Sequence, residues 1–233
     1  MKVVYEDKDQ IAVYKPAGLA TQTARLGEKD LVSEVKIYMS RRSGSNDLFL
    51  GLINRLDQPV EGIVLFAKNV RTAALLSTQM QTGRMKKYYY AVVYGHMEDA
   101  KGTLTDYLKK DNRSNLSKVV SKDTAMAKKA MLEYEVLAEE GNIQLLKIHL
   151  LTGRHHQIRV QFSHRGHPLM GDRKYGTKES LALSDDMQIK TPALCAFGLE
   201  WEHSDKKTDI SIRIESEQKV IQDLTKKKFR EIQ

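Results

Sequence analysis

Alternation of apolar and polar residues predicts a chain rich in β-strands. Val3 to Val13 alternates around the charged turn Glu6-Asp7-Lys8-Asp9, which is typical of a β-hairpin. The turn Glu140-Gly141-Asn142 joins two further apolar runs and predicts a second hairpin. Beyond the first hairpin, strands are predicted at residues 63–67, 88–94, 131–138, 143–151, 193–201 and 209–214.

Helical spacing is restricted to short segments. Helices are predicted at residues 31–39, 70–81, 152–165 and in the tail from 216 onward. Thr152 is the expected N-cap of the third helix, and the polar residues 40–47 predict a flexible loop. Because no repeat or low-complexity linker separates these elements, the sequence predicts one α+β domain over residues 1–233.

The net charge of the chain favours a polyanionic partner. The chain has 38 Lys and Arg residues against 30 Asp and Glu residues, a formal net charge of +8 and a pI near 9.3. Residues 109–129 alone carry seven basic residues against two acidic ones, so we expect an exposed basic arm there. This balance favours a nucleic acid, although many basic proteins bind none.

Cysteine usage and hydropathy indicate a cytoplasmic protein. The single Cys195 can form neither an internal disulfide nor a thiolate metal site, and a buried small side chain is the simpler interpretation. No segment approaches the ~20 consecutive apolar residues that span a bilayer, and the N-terminus lacks the apolar stretch of a signal peptide. We therefore expect no membrane association.

A first candidate for chemistry is the segment Asn54-Arg55-Leu56-Asp57-Gln58-Pro59. Pro59 lacks an amide hydrogen and biases Gln58 toward an extended backbone, which can present the Asp57 carboxylate into a cleft. The alternative is that Asp57 only completes a turn while Arg55 lies in solvent.

A second candidate runs from Leu151 to Val160, where a strand leads into a helix start. Exposed amide groups there, together with Arg154 and Arg159, suit a phosphate or a carboxylate partner. The alternative is a solvated cationic helix face. The nearby histidines carry no carboxylate at a recognised ligand spacing, so we expect no metal site; these histidines are His155, His156, His164 and His167.

A third candidate is the tyrosine run 88–90, which follows Lys86 and Lys87. Aromatic rings next to cations can stack on bases and contact phosphates. Strand alternation places Tyr88 and Tyr90 on one face and Tyr89 on the other, so one face can fill the core while the other binds a ligand.

Together these segments resemble the RluA-type family of pseudouridine synthases. The matching motifs follow one another in the family's order over roughly 160 residues, which makes chance similarity improbable. They are Lys15-Pro16-Ala17-Gly18, Arg55-Leu56-Asp57 with Gly62, Lys87-Tyr88-Tyr89-Tyr90-Ala91 leading to Gly95, and Thr152 to Val160 followed by Gly166-His167-Pro168, Gly171-Asp172 and Tyr175-Gly176.

The resemblance implies an α+β fold with a mixed, mainly antiparallel sheet, flanking helices and an RNA-binding cleft. It implies isomerisation of uridine to pseudouridine with Asp57 as nucleophile, Arg159 as the paired cation and Tyr89 stacked on the target uracil. Arg55 would fill the gap left by the extruded nucleotide. Arg154, Lys87 and Gln157 are the further expected RNA contacts.

A carboxylate is sufficient for this chemistry, so we expect neither a cofactor nor a metal. The expected partner is structured RNA, either ribosomal or transfer RNA, and the expected state is a monomer. The first hairpin begins at Val3, so no separate N-terminal RNA-binding module is expected. Substrate selection would then rest on the catalytic domain and on loops such as 40–47 and 109–129.

The sequence departs from the family pattern at two places, one of them a pair of residues. Asn54 stands where the family usually has histidine, and Val60-Glu61 replaces the usual threonine-serine. Glu61 adds negative charge near Asp57. A non-catalytic RNA-binding protein with the same fold is the competing hypothesis, but it would need no carboxylate in the cleft. A metal-dependent nuclease would need clustered Asp and Glu ligands, which the sequence does not offer.

Overall fold

The computed structural model describes residues 1–23, 27–203 and 208–231, with the side chains of 229–231 excepted. Its elements, in chain order, are β1 (Lys2–Glu6), β2 (Gln10–Lys15), α1 (Leu31–Ser43), β3 (Gly51–Leu52), β4 (Glu61–Ala67), α2 (Val70–Gln81), β5 (Lys86–Tyr94), β6 (Lys101–Asp111), β7 (Leu116–Val120), β8 (Lys128–Glu140), β9 (Ile143–Leu150), α3 (Gln157–His164), α4 (Lys178–Asp186), β10 (Leu194–Glu202), β11 (Asp209–Arg213) and α5 (Lys219–Glu231).

The chain divides into two compact units. The first unit comprises Met1–Lys86 and Ala196–Ile214, and the second comprises Lys87–Cys195 and Glu215–Gln233. The predicted single catalytic domain over residues 1–233 stays a prediction. Within the described ranges, no helix combines the length and the apolar character needed to cross a membrane.

The first unit is a sheet with β4 near its centre. Strand β2 pairs antiparallel with both β1 and β4, β10 follows β4 in the strand order, and β3 and β11 add short antiparallel pairings to β4 and β10. All seven residues of β4 are buried: the apolar run 63–67 and, ahead of it, Gly62 and the charged Glu61. Its core surrounds Trp201, whose indole nitrogen donates to Gln10 Oε1 at 3.0 Å.

Both helices of the first unit begin at N-caps that the sequence encodes. The side chains of Asp30 and Asn69 accept from the backbone amides of Ser33 and Thr72, respectively. Helix α2 has the predicted bounds. Helix α1 continues through the first half of the predicted loop 40–47 and ends at Gly44, whose φ of 72° terminates the helix in the left-handed conformation.

The second unit is a fully antiparallel sheet in the order β5-β9-β8-β6-β7. Residues 109–129, predicted as an exposed basic arm, are mostly exposed and contain the end of β6, all of β7 and the start of β8. Residues 109 and 118 are cross-strand partners in this hairpin. Its apolar alternation is weak because charged residues occupy much of the hairpin, which hid the strands from a hydrophobic pattern.

Helix α3 starts later than predicted. Thr152 is not its cap; the N-cap is His156, which adopts the left-handed conformation at φ 54° and makes no side-chain capping bond. Thr152 instead donates from Oγ1 to Gln157 Oε1 at 2.7 Å and accepts from Met131 N at 2.8 Å. Helix α4, which the sequence analysis did not predict, begins with a capping box between Thr177 and Ser180.

Candidate active site

The loop that carries Asp57 lies between β3 and β4 and has no regular structure. The backbone N–H of Val60 donates to Asp57 O at 3.0 Å, so a tight turn follows the aspartate. The Asp57 side chain is partly buried. Arg55 is exposed, and in the described ranges no acceptor or carboxylate lies within bonding distance of its guanidinium. The loop therefore presents a carboxylate next to an uncommitted cation.

Two polar side chains hold the backbone of this loop through hydrogen bonds. Thr21 Oγ1 donates to Leu56 O at 2.8 Å and accepts from Leu56 N at 3.2 Å. Asn54 donates from Nδ2 to Ile63 O at 3.0 Å and accepts from Leu65 N at 2.8 Å. The amide of Asn54, at the position where histidine was expected, thus bridges the loop to the backbone of β4. The residues on both sides of Arg55 are held.

Lys15 ties a second segment to the same loop. Its side chain is fully buried, and Nζ donates to the carbonyl oxygens of Pro16 (3.0 Å), Leu19 (2.7 Å) and Gln58 (3.0 Å). An ammonium group has three N–H bonds, so all of them are used. The backbone N–H of Gly18 also donates to Gln58 O at 2.9 Å. The Lys15-to-Gly18 turn therefore serves as a support for the residue that follows Asp57.

The electrostatics of this support involve two carboxylates. Burial lowers the pKa of Lys15 to about 8, and the negative charges of Asp57 and Glu61 oppose part of that decrease. Glu61 is itself buried and accepts a hydrogen bond from the Tyr14 hydroxyl at 2.6 Å. The negative charge that Glu61 brings near Asp57 is thus accompanied by a buried cation.

Gly62 is required by a close approach at the start of β4. Its φ is 138°, and a Cβ atom built there would lie 2.5 Å from the Cβ of Ala196. Any side chain would force β4 away from β10, and Glu61 and the Asp57 loop precede this point directly. The glycine of the motif therefore has a packing reason.

In the second unit, the tyrosines of β5 alternate in burial. Tyr89 is 8% exposed, whereas Tyr88 and Tyr90 on the opposite face are only partly buried. The Tyr88 ring stacks on the His149 ring at 5.0 Å between centroids. These two rings line an open groove of about 490 Å³ on that face; its other charged lining residues are Lys101, Glu133, Glu135 and Lys147. The mixed charge makes this groove a poor match for a polyanion.

Arg159 forms a buried ion pair inside the second unit. Its Nε and Nη2 atoms donate to the two carboxylate oxygens of Asp172 at 2.6 and 2.7 Å. Asp172 is completely buried and also accepts from the backbone amides of Lys174 and Tyr175. These two bonds use two of the five N–H groups of the guanidinium. The pairing of Arg159 with Asp57 stays a prediction.

A hydrogen-bonded aromatic cluster connects this ion pair to the basic hairpin. The Tyr175 ring lies 5.1 Å from the Arg159 guanidinium, and its hydroxyl accepts from Ser117 N at 2.8 Å and bonds to His156 Nδ1 at 2.8 Å. The rings of His155 and His156 stack at 3.7 Å. Within the described ranges, no group of three or more His, Cys, Asp or Glu side chains is placed to share a metal ion.

The remaining predicted RNA contacts lie around the start of α3. Gln157 is buried, and its amide bonds to Thr152, to the backbone N–H of Arg154 and to Met131 O, so its visible role is to shape this segment. Arg154 is exposed and donates from Nε to Lys129 O at 2.8 Å. Lys87 is 8% exposed, and burial followed by the charge of Arg154 lowers its pKa.

Sequence reasoning missed the roles of Lys15, Asp172 and Tyr175. All three occur in the quoted motifs, but no partner could be assigned to them from spacing alone. A signal for Lys15 was available, because a lysine that ends an otherwise apolar strand and precedes Pro-Ala-Gly occupies a position where burial is expected. A buried lysine needs acceptors nearby.

Comparison with known proteins assigns the class to which this fold and loop belong. The profile of a family described as RNA pseudouridylate synthase matches residues 9–164. The chain belongs to this family. The resemblance to RluA-type enzymes inferred from the motifs is thereby confirmed.

Curated relatives agree with this assignment. The chain is 32% identical over 178 residues to ribosomal large subunit pseudouridine synthase D of Borreliella burgdorferi, covering 75% of this chain and 54% of the relative. It is 31% identical over 199 residues to the dual-specificity RNA pseudouridine synthase RluA of Vibrio cholerae, covering 84% and 76%. The chain spans little more than half the length of the first of these relatives.

Solved structures confirm the fold. Human RNA pseudouridylate synthase domain containing 4 superposes with a TM-score of 0.78 at 18% identity, covering 98% of this chain and 93% of the human one. Domain containing 1 superposes with a TM-score of 0.72 at 19% identity, covering 96% and 94%. The predicted mixed sheet with flanking helices is confirmed.

Proposed function

We propose that this protein is an RNA pseudouridine synthase in which Asp57 is the nucleophile. The observation that supports this most strongly is the construction of the Asp57 loop. Thr21, Asn54 and Lys15 fix its backbone through hydrogen bonds, while the carboxylate is only partly buried and Arg55 beside it is uncommitted. A turn with no function would not need this degree of support.

The reaction is an isomerisation in which every atom is conserved. The Asp57 carboxylate attacks either the ribose anomeric carbon or carbon 6 of the uracil, and the bond between ribose and N1 breaks. The freed base turns, the ribose bonds to carbon 5, and the bond between Asp57 and the substrate breaks, which regenerates the carboxylate. The proton of carbon 5 is released while N1 acquires one. The nucleophile must be ionised, and a guanidinium beside it favours that form. Arg159 supplies this cation.

The target uridine must leave its stack before it can react. Extrusion costs ~a few kcal/mol, which stacking on Tyr89 and insertion of Arg55 into the vacated space offset. Lys87 and Arg154 contact the RNA backbone, and Gln157 maintains the segment from which Arg154 projects. The β6-β7 hairpin, with its lysines, provides further phosphate contacts.

The substrate is structured RNA, either ribosomal or transfer RNA. Relatives are named as synthases of the ribosomal large subunit and as a dual-specificity enzyme, and the charge of +8 suits any of these RNAs. The enzyme acts as a monomer in the cytoplasm and requires no metal.

The experiment is Asp57→Asn in a tritium-release assay with RNA labelled at carbon 5 of uridine. Release should fall to background while RNA affinity stays within about twofold, because the substitution removes the nucleophile without changing the shape of the loop. Asp209→Asn is the matched control, since Asp209 is exposed on β11. Unchanged release from Asp57→Asn would exclude Asp57 as nucleophile. No release from the wild type on any cellular RNA would favour the non-catalytic alternative.

A further inference from the structure

Lys87 is a buried cation whose charge is not compensated. Lys87 is 8% exposed, and in the described part of the chain no acceptor or carboxylate lies within bonding distance of its Nζ atom. Among the described residues, Nζ of Lys87 does not belong to the side-chain atoms that are sealed from solvent without a hydrogen-bond partner. Removing an ammonium group from most of its water without supplying partners destabilises a protein. A bound anion would relieve that penalty.

The surroundings of Lys87 also favour an anion. A Cβ atom built on Gly153 would lie 3.7 Å from Lys87 Nζ, so the bare backbone of that residue leaves space beside the ammonium group. The next residue, Arg154, is exposed, and its charge adds to burial in lowering the pKa of Lys87. Neither cation has a carboxylate at salt-bridge distance among the described residues. Two cations beside a glycine form a site for one negatively charged group.

The position of Lys87 on β5 indicates which anion this is. Lys87 and Tyr89 are two residues apart and therefore project from the same face, at a spacing of about 7 Å along the strand. Tyr89 is the residue proposed to stack on the target uracil. A group about 7 Å from a stacked base lies within reach of the phosphodiesters on either side of that nucleotide.

We infer that Lys87, Gly153 and Arg154 form a subsite for the RNA phosphodiester adjacent to the target uridine. The inference rests on the proposed function for the nature of the anion. The subsite positions the extruded nucleotide by holding its backbone while Tyr89 holds its base. The groove on the opposite face of the sheet, where Glu133 and Glu135 accompany the lysines, does not compete for this role.

The test is the affinity of an RNA heptanucleotide with one central uridine flanked by adenosines, measured by fluorescence anisotropy over a range of KCl concentrations. Lys87→Met should weaken binding by about tenfold and reduce the logarithmic salt slope by about 0.7, the contribution of one single-strand phosphate contact. Lys36→Met, on the exposed surface of α1, should change neither quantity. An unchanged slope for Lys87→Met would overturn the subsite.

Gly153→Ala keeps both cations and tests the space between them. Its methyl group would occupy the place beside Nζ where the phosphate must bind, so affinity should fall by a factor similar to that for Lys87→Met. The melting temperature of Lys87→Met should be unchanged or raised, because an uncompensated cation has been removed. If Lys87→Met folds poorly, Gly153→Ala decides, and full affinity in that variant contradicts the inference.

Neutral methylphosphonate linkages identify the phosphate itself. Placed on one side of the uridine, the linkage should weaken binding to the wild type and leave Lys87→Met unaffected, because both changes remove the same contact. The adjacent phosphodiester would be excluded as the ligand of Lys87 if the methylphosphonate, on either side of the uridine, lowered the RNA affinity of both proteins equally. Inorganic phosphate alone could also raise the melting temperature of the wild type but not that of Lys87→Met. If the two proteins then bound RNA with equal affinity, the site would be one for free phosphate instead. None of these measurements depends on turnover, so they remain informative if Asp57 is not a nucleophile.

Discussion

Lys15 and Lys87 are both buried lysines whose pKa is lowered by burial, yet their surroundings differ completely. Lys15 in the first unit spends all three N–H bonds on carbonyl oxygens and is near two carboxylates. Lys87 in the second unit has no such partner among the described residues, and a second cation lies close to it. The first arrangement fixes a backbone, and the second leaves a charge available for a ligand.

The difference teaches how burial of a cation should be interpreted. A buried ammonium group with saturated donors is structural, because any ligand would have to displace existing hydrogen bonds. A buried ammonium group that is open to solvent and unpaired is maintained at a cost in stability, and such costs are concentrated at functional sites. Lys15 thus supports the backbone of the Asp57 loop, whereas Lys87 is the lysine that we propose to bind RNA.

The largest expected effect comes from removing the charge of one member of a buried ion pair. Asp172→Asn removes the charge that compensates Arg159 in the core of the second unit, so the free energy of unfolding should fall by about 3–5 kcal/mol. Urea denaturation measures this. Asp185→Asn, which breaks the exposed pair with Arg173, should cost much less, because solvent screens that pair. Equal losses in the two variants would show that burial of the pair is immaterial.

Lys15→Met tests whether the saturated lysine supports catalysis. Three carbonyl oxygens lose their donor, the Gln58 backbone is released, and misplacement of Asp57 should lower kcat by about 10²-fold with RNA affinity retained. Lys36→Met is again the matched charge removal, and tritium release under single-turnover conditions is the measurement. A Lys15→Met enzyme with wild-type kcat would show that the loop does not need this lysine.

The pH dependence of kcat should reveal the protonation of Lys15. Above pH 8 the ammonium group loses a proton and one of its three hydrogen bonds, so kcat should decline with a midpoint near pH 8. Glu61→Gln removes a charge that raises the Lys15 pKa, so the midpoint should move to lower pH, while glutamine still accepts from Tyr14. A midpoint that stays in place would assign the decline to another group.

Stability should not follow kcat over this range. The folded-state pKa of Lys15, about 8, is below its usual 10.5, so between these values the unfolded chain binds more protons than the folded one. The contribution of Lys15 to the free energy of unfolding therefore increases as the pH rises from about 8 toward 10.5. Melting temperatures at pH 7 and pH 9 separate loss of activity from loss of structure.

The smallest expected effect concerns the basic hairpin. Replacing Lys109, Lys110 and Lys118 with glutamine should weaken RNA binding uniformly across sequences and lower the logarithmic salt slope by about 0.7 for each phosphate contact removed. The exposed Lys36 again provides the control substitution. A slope that does not change would place the hairpin outside the RNA interface.

Sequence patterns predicted most of the fold because apolar periodicity and turn residues encode it directly. The buried run in β4 and the spacing of α2 gave these elements with correct types and close bounds. The β6-β7 hairpin was not predicted, because its charged residues hide the alternation of apolar and polar positions that marks a strand. The start of α3 was predicted too early because the Thr152 hydroxyl bonds to the Gln157 side chain and to the backbone of β8 instead of capping the helix. The helix begins after His156, whose left-handed conformation no local sequence signal predicts.

The site was predictable only in part. Motifs identified Asp57, Tyr89 and Arg159 as candidates, since a family resemblance carries residue identities. The partners of Lys15 and Asp172 come from segments far along the chain, and sequence spacing cannot assign them. The uncompensated state of Lys87 is a property of burial, which emerges only when the sheet is assembled.

The most direct test of the account is to map pseudouridine in total RNA from cells that lack this protein, after incubation with the purified wild type or with Asp57→Asn. We expect at least one uridine, in ribosomal or transfer RNA, to be converted by the wild type and none by the variant. Conversion by both proteins, or by neither, would contradict the claim that this chain isomerises uridine through Asp57.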